Sequence, residues 1–369
     1  MKQVLLFTNI FPHYRRSLWE KLINCKDFNI EIYYDNKDYI EIKNLAKNSI
    51  FKSKYGSLNY IKNLYFLDKI LLWQSGVIFR CIFKKYDTII FLGEFTCLST
   101  WLGSLIGKIK KKKIIFWGHG LYGNESLLKK IIRILFLKLA SHNLVYEKRS
   151  KKLLTDSGID ANKISVIFNS IDYQKQKEIY KKLEKSNPFK IFENKYPTLF
   201  FVGRLTPQKK IDMLINAVKK INEKFDVNLL IVGAGPSLKS LKLLAENLIN
   251  QKKCIFFGEC MDEKILSKLI YNSDLTVSPG NVGLTAIHSL SYGPPVCTHS
   301  NFSNQMPEAE CIREGDNGFF FHENDINSLE KKIYDWLRNG KRFNRDEVRN
   351  VIDKYYNENY QIKIITKVV

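Results

Sequence analysis

Leu275-Thr276-Val277-Ser278-Pro279-Gly280-Asn281-Val282-Gly283-Leu284-Thr285-Ala286-Ile287-His288-Ser289-Leu290 opens with an apolar strand, turns through two glycines and continues as a helical segment. Pro294 and Pro295 then begin a second strand that runs to Thr298. This is one βαβ unit, and it sets the class of the chain: strands alternating with helices lie parallel in a sheet covered on both faces. The turn Pro279–Gly283 runs straight into the helix, so backbone N–H groups with little side-chain bulk around them face whatever lies beyond the strand end. Such a site suits a phosphate. Taken alone, it also fits the tight strand-to-helix connection of any α/β protein, so a second motif has to decide.

That motif is Thr198-Leu199-Phe200-Phe201-Val202-Gly203-Arg204-Leu205-Thr206-Pro207-Gln208-Lys209-Lys210, a strand ending in Gly203 followed by cations before a helix from about Ile211. A guanidinium gives bidentate phosphate contacts and an ammonium adds a point charge, so Arg204 and Lys209 together suit a diphosphate. Either cation alone also fits a solvated face.

The two motifs in one predicted sheet resemble the donor site of glycosyltransferase family 4, the retaining enzymes of GT-B fold. Asn169-Ser170-Ile171-Asp172 is similar to the family's NGVD-like end of the first domain, and Val232-Gly233-Ala234-Gly235-Pro236 to its VGxGP turn. The resemblance implies an α/β chain of two Rossmann-like doubly wound domains facing a central cleft. The loop from Gly203 through Arg204 to Lys209 would grip the donor diphosphate, and Gly283, Leu284 and Thr285 would complete the clamp. The family's E-x7-E pattern would put carboxylates at Gly280 and His288, and neither is acidic here. His288 is then expected to hydrogen-bond the ribose, and the sugar contact at Gly280 passes to Asn281 or to backbone.

Three further sites follow from the resemblance. His119, at a strand end in Trp117-Gly118-His119-Gly120, matches the family's HG position, where the imidazole meets the donor sugar near the reaction centre. Glu259 and Cys260 follow Gly258 where the family contacts the nucleotide base. Pro12, Tyr14 and Arg15 resemble the PPYR-like variants of the acceptor loop. The expected catalytic residues are His119, Arg204 and Lys209, with no metal or cofactor.

Composition bounds the rest. The chain has 369 residues, 45% hydrophobic and 13% aromatic, enough for two domains with substantial cores. Of the net charge of +22, residues 1–190 hold 35 Lys and Arg against 16 Asp and Glu, giving +19, which leaves +3 for the remainder. A one-sided field of this sign points to an anionic partner, nucleic acid or an anionic membrane face. No nucleic-acid module is recognisable, so nucleic acid is set aside as a partner. The most concentrated cationic run is Lys108 to Lys113, which also fits a solvated turn. No stretch reaches the roughly 18 apolar residues of a membrane span, and Val4 to Asn9 fits a first buried strand better than a signal peptide. Seven scattered cysteines suggest neither a disulfide framework nor a zinc site. A cytoplasmic protein attached peripherally to the inner membrane face is expected.

The alternation of strands and helices predicts an N-terminal domain over 1–175, a linker over 176–197 broken by Asn187-Pro188, a second domain over 198–345 and a helical tail over 346–369. The resemblance implies that the first domain binds the acceptor, the second the nucleotide-sugar, and that the tail packs back on the first domain. A helix is expected over Leu58–Phe83 from Tyr60, Leu64, Leu67, Leu71, Leu72 and Ile78, and the stretch 35–54 reads as irregular. Ser126–Ala140 is expected to be a core helix with Lys129, Lys130, Arg133 and Lys138 on its wet side. The leading reading is a retaining glycosyltransferase that moves a sugar from a UDP-sugar, or a GDP-sugar, to a lipid-linked saccharide in bacterial surface polysaccharide synthesis. The alternative is a nucleotide-binding GT-B subunit weakened by loss of both carboxylates.

Overall fold

A computed structural model describes residues 1–37, 53–185, 190–339 and 344–369. Most of the stretch expected to be irregular, 38–52, lies outside the described residues, as does Asn187-Pro188. The chain divides into two compact units, one of Met1–Asp172 with Asn357–Val369 and one of Tyr173–Tyr356.

In the first unit the strands are β1 (Lys2–Phe7), β2 (Phe28–Tyr34), β3 (Gly56–Tyr60), β4 (Asn63–Phe66), β5 (Leu71–Gln74), β6 (Thr88–Leu92), β7 (Lys113–Gly118), β8 (His142–Val145) and β9 (Ile164–Val166). Seven of them form a parallel sheet in the order β3-β2-β1-β6-β7-β8-β9, while β4 and β5 pair as an antiparallel hairpin. Both faces are covered, as an all-parallel sheet requires. Val4 and Leu6 of β1 enter one core, Leu5 and Phe7 the other.

The second unit has β10 (Thr198–Val202), β11 (Asn228–Val232), β12 (Cys254–Gly258), β13 (Leu275–Ser278), β14 (Val296–His299) and β15 (Gly318–Phe321), all parallel, in the order β12-β11-β10-β13-β14-β15. Strand order therefore reverses between β1 and β6 in one sheet and between β10 and β13 in the other. Ligands of open α/β sheets bind at such switch points, beyond the carboxyl ends of the strands. The loops carrying Gly203–Lys209 and Pro279–Gly283 follow β10 and β13.

Three local expectations change. Residues 58–83 are not one helix: β3 ends at Tyr60, β4 and β5 follow, and only Val77–Phe83 is helical. Leu67, Asp68 and Lys69 have φ of 47°, 50° and 69°, a left-handed turn that no helix continues. The apolar spacing is used across the hairpin, where Leu64 faces Trp73 and Tyr65 faces Leu72. Among the described residues of 176–197, Tyr180, Leu183 and Phe192 are buried in the core of the second unit, so these parts are packed rather than linking. Of the tail, the helix Arg345–Lys354 stays with that unit through Arg345, whose Nη1 donates to the Tyr292 carbonyl at 3.1 Å. Asn357–Val369 belongs to the first unit, where Ile365, Val368 and Val369 enter the core and Ser170 Oγ donates to Gln361 Oε1 at 2.6 Å.

Candidate functional site

The loop after β10 is held by buried Leu205, whose N–H donates to the Ala234 carbonyl at 2.9 Å. It carries exposed Arg204 to one side and leads through Pro207–Lys209 to the helix Ile211–Asn222. Lys209 Nζ donates to both the carbonyl and Oδ1 of Asn281, each at 2.8 Å, and Gly280 N–H donates to the Lys209 carbonyl at 3.1 Å. The two loops are thus tied across the switch point. A Cβ on Gly280 would lie 2.8 Å from Lys209 Cα and overlap the Gln208 carbonyl, so no carboxylate-bearing side chain fits there. Burial lowers the Lys209 pKa, and the nearby Glu308 carboxylate opposes that shift.

From Gly283 the helix Leu284–Tyr292 begins, and Thr285 Oγ1 donates to the Val202 carbonyl at 3.2 Å, fixing the helix start to the end of β10. First-turn N–H groups have no acceptor within the helix. Two cations and a helix N-terminus at one switch point form a place for an anion with several oxygens.

One turn further along, His288 is already engaged. Its Nε2 lies 2.9 Å from Glu263 Oε1, which also accepts from Tyr292 Oη at 2.6 Å. Burial favours the neutral acid, but the charge and hydrogen bond of His288 and the bond from Tyr292 outweigh it and hold Glu263 at about 2. His288 is therefore not a lone side chain: its Nε2 is shared with Glu263. Nothing local in the sequence marks Glu263, which reads as an ordinary first-turn carboxylate behind the cap residue Asp262. Glu259 is exposed at the end of β12, and half-buried Cys260 directs its Sγ to the Asp262 carbonyl at 3.7 Å.

In the first unit, Arg15 and His119 come together although 104 positions separate them in the sequence. Arg15 Nη2 donates to Tyr146 Oη at 3.1 Å and to Asn169 Oδ1 at 3.0 Å, and its guanidinium lies 5.6 Å from the Trp117 ring. The His119 ring meets Tyr146 edge-on at 5.0 Å and Tyr122 at 5.5 Å. It is half-buried rather than open, and its Nδ1 has no hydrogen-bond partner among the described residues. Burial, with the charges of Arg15 and Arg133, lowers His119 to about 4, so the imidazole is neutral at pH 7. Tyr14 is half-buried beside Arg15, whereas Pro12 is buried and its carbonyl accepts from Trp19 Nε1 at 3.4 Å. Pro12 shapes the loop rather than lining a surface.

Sequence reasoning missed the support behind His119. Arg133, expected in water, is 5% exposed; it donates to Glu94 Oε1 at 3.0 Å and to Glu125 Oε1 at 3.2 Å. Glu125 in turn accepts from the N–H groups of Tyr122 and Gly123 at 2.7 and 2.8 Å. This closes the loop that follows His119. Arg133 sits on a helix whose period placed it outside, and only the two carboxylates from other elements reveal its direction.

The sequence model "Glycosyl transferases group 1" matches residues 184–356, nearly the whole second unit. An uncharacterized glycosyltransferase of Methanocaldococcus jannaschii is 23% identical over 93% of this chain and 90% of its own length. An uncharacterized 41.2 kDa protein in the cps region of Klebsiella pneumoniae is 26% identical over 73% of this chain and 77% of its own. Among solved structures, the lipopolysaccharide outer core galactosyltransferase WaaB superposes with a TM-score of 0.71 at 15% identity, covering 100% of this chain and 99% of that one. Anabaena HepE in complex with UDP gives 0.69, again at 15% identity with the same coverage. The two units are those of the GT-B glycosyltransferase fold.

Proposed function

From the premise that residues 184–356 are a glycosyl transferases group 1 domain and that the chain is a glycosyltransferase of GT-B fold, we propose that it transfers a sugar from a nucleotide-sugar to a lipid-linked saccharide. UDP-sugar is the favoured donor, GDP-sugar the alternative, and transfer retains the anomeric configuration, as in family 4. The acceptor belongs to bacterial surface polysaccharide synthesis, a reading supported by the cps-region relative and the lipopolysaccharide galactosyltransferase likeness. The observation that carries the proposal is the tie between Lys209 and Asn281 at the start of the helix Leu284–Tyr292.

In this reading Arg204 and Lys209 neutralise the diphosphate as it departs, and the N–H groups of Gly283, Leu284 and Thr285 bind its oxygens. The anomeric carbon–phosphate oxygen bond breaks and the carbon–acceptor oxygen bond forms on the same face. The acceptor proton passes to the leaving diphosphate, so no protein nucleophile is needed. The two cations supply the positive charge, and the reaction uses no metal. Neutral His119 offers a hydrogen bond to the transferred sugar, and the Arg15 loop faces the acceptor. His288, held by Glu263, meets the ribose, with Glu259 and Cys260 near the base. The protein works as a peripheral protein on the cytoplasmic membrane face.

Thermal unfolding with UDP, GDP and ADP and their sugar conjugates tests the donor, since a ligand of the native state raises its melting temperature. UDP and one UDP-sugar should stabilise the protein and Lys209→Ala should abolish the effect; no shift with any nucleotide would overturn the proposal. Stabilisation by UDP without turnover of any donor would favour the weakened binding subunit instead.

A further inference from the structure

Two helices of the first unit turn apolar side chains outward. Leu98–Ile109 and Leu127–Leu137 cover the same side of the sheet, and the rings of Trp101 and Phe136 meet at 5.0 Å between them. A helix covering a sheet in water turns its apolar stripe inward. Leu98–Ile109 instead buries Ser99, Thr100, Gly103, Ser104 and Gly107. Its outer stripe is Leu98, Leu102, Leu105 and Ile109, which are 39%, 46%, 45% and 82% exposed. The small inner residues are needed, because a Cβ on Gly103 would come within 2.8 Å of the Phe91 ring. Leu127–Leu137 buries Arg133 together with Phe136 and Leu137, while Leu128, Ile131 and Leu135 stand 69%, 46% and 57% exposed.

Core packing explains the inner faces; it does not explain leucine and isoleucine on the outer ones. Scattered exposed apolar residues are ordinary, but a contiguous exposed apolar surface marks an interface. Its charge selects the partner. Residues 77–138 contain twelve Lys and Arg against three Asp and Glu, a net +9, and Arg133 engages two of those three carboxylates, Glu94 and Glu125. In a two-fold pairing a second copy would oppose this region with the same excess of positive charge, since such interfaces are self-complementary. An anionic bilayer complements it in both respects, with apolar side chains in the acyl region and Lys108, Lys111 and Lys129 among the headgroups.

We infer that the helices Leu98–Ile109 and Leu127–Leu137 together form a face that inserts its leucines and isoleucines into an anionic lipid surface. This deepens the membrane partner of the proposed function and rests on that reading. Charge alone is not the anchor. Within the cationic run, Lys110 Nζ donates to the carbonyls of Cys81 and Ile82 at 3.1 and 2.7 Å, so part of the run ties elements of the unit together.

Co-sedimentation of the full chain with vesicles of equal phosphatidylglycerol and phosphatidylcholine tests the inference. The triple variants Leu102→Ser/Leu105→Ser/Ile109→Ser and Leu128→Ser/Ile131→Ser/Leu135→Ser keep every charge and alter exposed positions. Each should bind at least about tenfold more weakly than the parent at an unchanged melting temperature. Leu243→Ser, at a position 74% exposed in the second unit, should bind like the parent. Parent-like binding by both triple variants, or no vesicle binding by the parent, overturns the inference. So does a parent dimer that the same substitutions dissociate, which would assign the face to a second copy. UDP stabilisation measured on the same samples separates the two readings: its absence with vesicle binding intact removes the donor site and leaves the lipid face standing.

Discussion

The polar clusters at the strand ends of the two units are built differently. After β10 and β13, backbone does most of the holding: the Asn281 carbonyl receives Lys209, the Lys209 carbonyl receives Gly280, and Thr285 returns to the Val202 carbonyl. After β1, β7, β8 and β9, side chains hold side chains, with Arg15 on Tyr146 and Asn169 and with His119 between Tyr122 and Tyr146. Backbone cradles fix one geometry, suited to a diphosphate that is the same in every donor. Aromatic and amide walls can be exchanged residue by residue, which suits recognition of a variable partner.

The sharpest way to break this contrast is Lys209→Ala. Turnover should fall on the order of a hundredfold or more with the fold intact, as when one transition-state donor is lost, and Arg204→Ala should act in the same sense. Near-native rates from both folded variants would remove the clamp. Gly280→Ala asks whether backbone contact is the constraint. Its new Cβ meets the Gln208 and Lys209 backbone, so urea unfolding should show a loss of about 1–3 kcal/mol; an unchanged midpoint would show a looser loop. On the other side, Arg15→Ala should raise the acceptor KM by about tenfold while the donor KM holds. A change confined to the donor KM would reverse the roles given to the two clusters.

His119 provides the smallest and most specific test. The folded state takes up its proton at about 4, the unfolded chain near 6.5. Between those values the unfolded state binds more protons, so stability falls as pH drops through the window. His142, lowered to about 4 by burial with Lys113 and Lys151 behind it, adds a second contribution of the same sign. His119→Gln should remove one of the two and flatten the loss measured by urea unfolding from pH 7 to pH 4. An identical slope would place the ring in water.

The same contrast decides what the sequence could reveal. The meeting of the loops after β10 and β13 was legible because their parts are local: Gly203, Arg204 and Lys209 lie within one loop, and Gly280 to Thr285 within one turn. The parallel sheets were legible because each core strand is a short apolar run between helices. The first-unit cluster gathers residues 15, 119, 146 and 169, which no spacing rule connects. The direction of Arg133 was misread because the 3.6-residue period assumes water outside and apolar contacts inside; the carboxylates of Glu94 and Glu125 and the rings of Phe95 and Tyr122 turn it inward. The hairpin at β4 and β5 was misread because cross-strand pairs of Leu64 with Trp73 imitate helical spacing over so short a run.

The return of Asn357–Val369 to the first unit bears on how the protein is made. Its second unit is one continuous piece of chain, Tyr173–Tyr356, and has every residue of its core once Tyr356 has left the ribosome. The first unit, begun earlier, has to wait: Ile365, Val368 and Val369 pack against the face that carries Val4, Leu6 and Ile30. Until they arrive that face is open to solvent and to chaperones. The unit begun first is thus completed after the second, and the unit that bears Lys209 and Asn281 can mature before the one that bears Arg15 and His119.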